Sequence, residues 1–230
     1  MCGRIALYTP PQRLARLLDA ALAAGIDPEG RPSWNVGPQR TLFGVADDGG
    51  GRELDRYRWG LVPSWAKDPS ISSRMFNARS ETVASKPSFR SAFKRQRCLV
   101  PVDGFFEWDR RGEAKVPHYF TRLDGSPIVL AGLYEHWRDP AGGDDAPVLR
   151  TCTVLTTTPG PDMDAIHDRM PVILEASAFD LWLTARDDER EAIQALCAPA
   201  AAGTLAHHPV DSRVGNVRND GPELIEAVAA

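Results

Sequence analysis

Apolar residues in this chain fall mostly in short β-type runs, with helical spacing near the two ends. Leu14, Leu17, Leu18 and Leu22 lie at helix intervals. Thr9 is the candidate N-cap, the prolines at 10 and 11 fit a first turn, and Gly25 with Pro28 mark the stop. From there to about residue 175 the texture is β. Thr41–Ala46, Asp55–Trp59, Arg97–Val102, Pro117–Arg122, Ile128–Tyr134 and Leu149–Thr157 are separated by Gly, Pro and Asp clusters. Asp47–Arg52, with three consecutive glycines, and Asp139–Ala146 read as inserted turns. Helical spacing returns at Ala176–Ala185 and at Asp187–Cys197, where Ile193, Leu196 and Cys197 form one stripe. Ala198–Thr204 reads as a small-residue linker, His208–Asn219 as a polar, irregular tail, and Glu223–Ala229 as a last short helix. No repeat and no shift in composition divides the chain. The pattern predicts one α+β domain over residues 1–230: a mostly antiparallel, strongly curved sheet or β-barrel with a few peripheral helices.

Composition narrows the class. Hydrophobic residues make up 43% and charged residues 25% of 230, as expected of a globular protein and not of a disordered one. No apolar run approaches membrane-spanning length, and no long apolar run follows Arg4, so neither a membrane span nor a secretory signal is expected. Cys2, Cys98, Cys152 and Cys197 contain no CxxC pair, which predicts a reducing, cytoplasmic setting. Nothing in the pattern asks for more than a monomer. The net charge of −4 argues against a general nucleic-acid coat protein. It hides an asymmetry, however. Arg74, Arg79, Lys86, Arg90, Lys94, Arg95 and Arg97 face a single acid, Glu81, a net of +6 that leaves −10 for the rest. Such a run is either a solvated face or a surface for phosphates.

Candidate chemistry begins at the N-terminus. A small residue after Met1 is the usual condition for removing the initiator, which makes Cys2 the first residue. Its α-amine and thiol then form a 1,2-aminothiol. The reference values, near 8 and about 8.5, leave both partly nucleophilic at neutral pH. The amine condenses with an aldehyde, and the thiol closes on the imine to give a thiazolidine. Taken alone, Cys2 reads as an incidental residue of a frayed terminus. Gly104-Phe105-Phe106-Glu107-Trp108 sets a carboxylate between large apolar side chains. Glu107 is either a desolvated general acid/base or an edge-strand glutamate pointing to water. In Ala165-Ile166-His167-Asp168-Arg169-Met170-Pro171, His167 is either a reactive imidazole or a turn histidine with a local ion pair. Asn77 and Arg79, two apart in extended chain, face the same way and suit a carbonyl and a phosphate. The remaining histidines, at 118, 136, 207 and 208, show no metal-ligand spacing, and neither a P-loop, a dinucleotide fingerprint, HExxH nor GxSxG is present. No metal or cofactor is expected.

Taken together, MCGR at 1–4, WNVGP at 34–38, RWGLVPSW at 58–65, FNARSET at 76–82, CLVPVDGFFEW at 98–108, LTTTP at 155–159, IHDRMPVIL at 166–174 and HPVDSRVGNVRNDGPEL at 208–224 resemble the SRAP family. That family comprises abasic-site-processing proteins that shield damaged single-stranded DNA. The segments run in the family's order along nearly the whole chain. The resemblance implies that Cys2 captures the ring-opened deoxyribose, Asn77 holds the amine and the sugar, and Glu107 is the general acid/base. It implies that His167 stabilises the sugar hydroxyl or shuttles a proton. Arg4, Arg79 and Arg169 would contact phosphates, Pro38 and Thr156 would line the DNA path, and Trp65 would stack on a base. Ala66 stands where the family often has a second aromatic. The implied partner is single-stranded DNA containing abasic sites. Strand cleavage by β-elimination is accessible to the same Schiff base. Other readings of residue 2 are a glutamine amidotransferase-like thiol hydrolase, an autopeptidase acting on Met1, and a non-catalytic single-strand binding module.

Overall fold

Strands dominate the structure, a computed structural model that describes residues 2–228 except Glu113 and Asp144, without the side chain of Asp187. In chain order they are β1 (Ile5–Leu7), β2 (Ala21–Leu22), β3 (Ser33–Val36), β4 (Thr41–Asp47), β5 (Arg52–Trp59), β6 (Asn77–Arg79) and β7 (Arg97–Val102). They continue as β8 (Gly104–Asp109), β9 (Val116–Arg122), β10 (Ile128–Trp137), β11 (Leu149–Thr157), β12 (Met170–Pro171) and β13 (Leu205–Pro209). Four short helices, α1 (Pro11–Leu17), α2 (Arg90–Arg95), α3 (Phe179–Thr184) and α4 (Arg190–Ala195), pack outside.

The order β11-β10-β7-β4-β5 returns on itself, because β5 also pairs with β11 in parallel. The result is a closed five-strand barrel, with β2 carried on β5 and β6 and β12 on β11. Closure removes the open edges that a sheet of this curvature would otherwise expose. β10 is buried along almost its whole length, as a strand covered on both faces must be. A second sheet, β13-β9-β8-β1-β3, lies alongside. The fold class is therefore α+β with a barrel. The β4–β5 hairpin turns through Gly49 and Gly51, whose φ of 92° and 102° few other residues adopt, and the Asp47 carboxylate accepts from both their N–H groups.

The N-terminal helix differs from its expected form. β1 precedes it, it ends at Leu17, and Leu22 belongs to β2. Thr9 does not cap it. Its N–H and hydroxyl both go to the Asp103 carboxylate, which also accepts from Tyr8 N–H at 2.6 Å. A long-range carboxylate thus wins Thr9 from the helix end. A strand that the pattern does not predict, β13, runs into the start of the polar tail, in register with β9 from Leu205↔Arg122 to Pro209↔His118. The last segment forms only a 3₁₀ turn, Pro222–Ile225, and Ala229 lies outside the described residues, as does Asp144 of the 139–146 turn. The basic stretch conceals α2. Arg97, the last of its seven cations, is 3% exposed and gives its guanidinium to the carbonyls of Trp182, Phe93, Lys94 and Ala185. The other six face solvent. No described helix is long and apolar enough to cross a membrane.

Candidate active site

Four segments distant in sequence bring their polar side chains to one buried point. β1 runs between β3 and β8, so the N-terminus enters the second sheet rather than lying free. Cys2 has no exposed surface and packs in an apolar cluster with Phe105, Met163, Ile166 and Met170. Burial pushes its thiol well above the ordinary range, and the Glu107 carboxylate pushes it further. Met1 lies outside the described residues.

Glu107 comes from β8, two residues beyond Phe105 and hence on the same face. β8 is flanked by β1 and β9, so it is not an edge strand, and Glu107 is 2% exposed. That geometry excludes the solvent-facing alternative. β8 and β9 approach closely at Gly104, where a Cβ would lie 2.5 Å from the Phe120 carbonyl and the Tyr119 ring. Only glycine lets the strand start there.

Asn77 opens β6, which lies parallel on β11 with Asn77 opposite Val154. The preceding Phe76 carbonyl accepts from Trp59 Nε1 at 2.8 Å and from Val154 N–H at 3.1 Å, which fixes where the strand begins. Asn77 Nδ2 donates to the Cys2 carbonyl at 2.6 Å. Its Oδ1 is buried with no hydrogen-bond partner among the described residues, an acceptor aimed into the site.

His167 sits on the turn between β11 and β12, its side chain 10% exposed. The turn is wound by N–H groups of Met163 and Asp164 on the Gly160 carbonyl and of His167 on Met163. His167 Nδ1 lies 3.0 Å from Arg169 N–H and 3.2 Å from the Arg169 carbonyl, so the ring is held against the backbone of its own turn. Nε2 stands 3.6 Å from Glu107 Oε2, and the exposed Asp168 carboxylate is 3.1 Å from Nδ1. The first distance exceeds a direct hydrogen bond. A thiol, an amide, a carboxylate and an imidazole thus meet at one largely buried point. Among the described residues no group of His, Cys, Asp and Glu is arranged to hold a metal.

The candidate DNA contacts divide. Arg79 and Trp65 are exposed, Trp65 at 59%, and Pro38 is half-buried. Ala66 is buried under Trp137, whose indole donates to the Ala66 carbonyl at 2.8 Å, so position 66 is not part of the exposed face. Arg4, Thr156 and Arg169 are committed inside the protein. Arg4 donates to Asn35 Oδ1 at 2.8 Å and to the Val214 carbonyl, and its guanidinium lies 5.9 Å over the Trp108 ring. Arg169 forks onto Glu81 at 2.5 and 3.0 Å and donates to the Thr156 carbonyl at 2.6 Å. Those hydrogen bonds hold the Glu81 carboxyl below the usual range. These bonds brace the turn that carries His167 and the segment that leads from Cys2 into β1.

One organising residue, Asn35, is not among the predicted site residues. Buried on β3, it donates to the carbonyls of Val214, Asn216 and Asn219 while accepting from Arg4. It ties the C-terminal segment to β1. Its carbonyl partners lie 179, 181 and 184 positions away, so no spacing betrays it; only its place in the WNVGP segment singles it out.

Comparison with known proteins follows the same lines. A family model described as SOS response associated peptidase (SRAP) matches residues 1–217. The abasic site processing protein YoqW of Bacillus subtilis is 38% identical over 230 residues, covering 99% of this chain and all of that protein. The abasic site processing protein HMCES of Gallus gallus is 36% identical, covering 98% of this chain and 77% of that one. A crystal structure of a Bacteroides thetaiotaomicron protein superposes with a TM-score of 0.83 at 22% identity, covering 99% of this chain and 100% of that one, a likeness of fold.

Proposed function

This chain belongs to the SRAP family, and from that footing we propose that it processes abasic sites by capturing them covalently in single-stranded DNA. The observation that carries the reading is the meeting of Cys2, Asn77, Glu107 and His167 at one buried point. With Met1 removed, the Cys2 α-amine attacks C1′ of the ring-opened sugar. The carbinolamine loses water as Glu107 gives up a proton, and an iminium remains. The thiol then adds to C1′, returning a proton to Glu107, and the nitrogen keeps one hydrogen. One water leaves and a thiazolidine ring closes.

The site's surroundings support each assignment. A thiol held protonated by burial needs a neighbour to take its proton, and Glu107 is the carboxylate whose charge it feels. The orphan Oδ1 of Asn77 matches a donor such as the amine or a sugar hydroxyl. Nε2 of His167 faces Glu107 across 3.6 Å. Arg79 and Trp65, exposed, suit a phosphate and a base.

The test is a denaturing gel of the protein incubated with single strands that do or do not carry one abasic site. A persistent slow band with the damaged strand alone is expected. Ammonia release from glutamine with no such band would put a thiol hydrolase in its place. Non-covalent affinity should weaken steeply with salt, while the covalent step at saturating DNA should not change. His167→Ala should slow adduct formation more than it weakens affinity for undamaged strand. Equal losses in both, read by single-turnover gels and by anisotropy, would recast His167 as a binding residue.

A further inference from the structure

We propose that the cleft between α2 and α4 is a second seat for single-stranded DNA, a phosphate cradle for the strand that runs on past Arg79. The inference rests on the reading of the protein as a binder of damaged single strands. The cleft measures about 600 Å³ and is lined by Arg90, Lys94, Arg186 and Arg190 over a floor that includes Phe93 and Ile193. All four cations are exposed, and no carboxylate is among the described side chains that line it. Two of them, Arg90 and Lys94, belong to the basic stretch. The other two arrive from a segment about a hundred residues later, so the chain assembles this field by folding. A neighbouring cavity of about 650 Å³ shares Lys94 and Arg186 but carries Asp47 and Asp188, a mixed field less suited to a polyanion.

The cleft lies a short way along the chain from Arg79. Ala84, on the cleft's rim, lies five residues after Arg79, at most about 18 Å along extended chain. The intervening segment is coiled, with Val83 N–H on the Arg79 carbonyl and Lys86 N–H on Thr82. Across it, Gln194 of α4 donates to the Ser80 carbonyl at 3.0 Å. A strand held at Arg79 therefore presents its next phosphates to the cleft at high effective concentration, an advantage that a free acidic partner lacks.

The test uses undamaged strands, which carry no aldehyde, so its outcome is independent of the covalent chemistry. Affinities of strands of about six and about twenty nucleotides are measured by anisotropy across a salt series. The variant is Arg90→Ala/Arg190→Ala, and Arg13→Ala/Arg16→Ala on α1 is the charge-matched control. Thermal unfolding of both variants checks that they remain folded. The cleft variant should bind the long strand about tenfold more weakly at low salt. Its salt slope should shrink by about 1.4, about 0.7 for each of two phosphates. The short strand and the control should match wild type. Long-strand affinity and slope equal to wild type, or lowered equally in the control, would overturn the proposal.

Discussion

Cys2→Ala leaves no persistent adduct on abasic single-stranded DNA, a fall in yield of at least about a hundredfold, yet it still gives a covalent band when borohydride is present. Both halves of that result are needed. Alanine permits removal of Met1, so the α-amine survives and still forms an imine. The imine has no thiol to close on it and reverts unless reduced. Cys2→Ser should behave alike, and in both variants the unclosed imine is free to eliminate the 3′ phosphate, so strand cleavage should persist or rise. The contrast works because the wild-type thiol sits one carbon from the amine that forms the imine, so ring closure is intramolecular and competes with elimination. A persistent band from Cys2→Ala at wild-type yield would remove the sulfur from the chemistry.

Glu107→Gln should slow adduct formation at neutral pH by at least about tenfold, or about 1.4 kcal/mol in the barrier. Glutamine fills the same space but neither gives nor takes the proton. The substitution has a second effect of opposite sign. The Glu107 charge is one of the causes that push the Cys2 thiol up, so removing it brings the thiol back toward its ordinary range. Burial, the larger cause, still holds the thiol high, but the small thiolate fraction grows with pH and needs no base beside it. The deficit of the variant should therefore be largest below neutrality and should shrink toward pH 9. Single-turnover rates from about pH 6.5 to 9 read this directly. Equal rates would take Glu107 out of the reaction, and a deficit that stays constant with pH would leave it a structural role.

Much of this was legible in the sequence, for reasons that particular residues make plain. The barrel strands at 97–102 and 149–157 end where the pattern predicts, because runs buried on both faces are uninterrupted and turn residues bracket them. Glu107 stayed ambiguous because alternation along a strand says which residues share a face but not which face is buried. The flanking of β8 by β1 and β9 decides it. α2 was invisible, since six residues with only Ala92 and Phe93 turned inward show no period. β1 and β13 were missed because three and five residues are too short for a pattern, and their partners lie far along the chain. Among the site residues, type and motif singled out Cys2, Asn77, Glu107 and His167. The internal commitments of Arg4 and Arg169 were hidden, because an arginine's letter is the same whether it meets Glu81 or a phosphate.

The intact mass of the purified adduct tests the central claim most directly. The account predicts residues 2–230 plus the oligonucleotide less one water, stable without any reducing agent. An adduct formed in full yield by protein that still carries Met1, or an acetyl group on its terminal nitrogen, would contradict it.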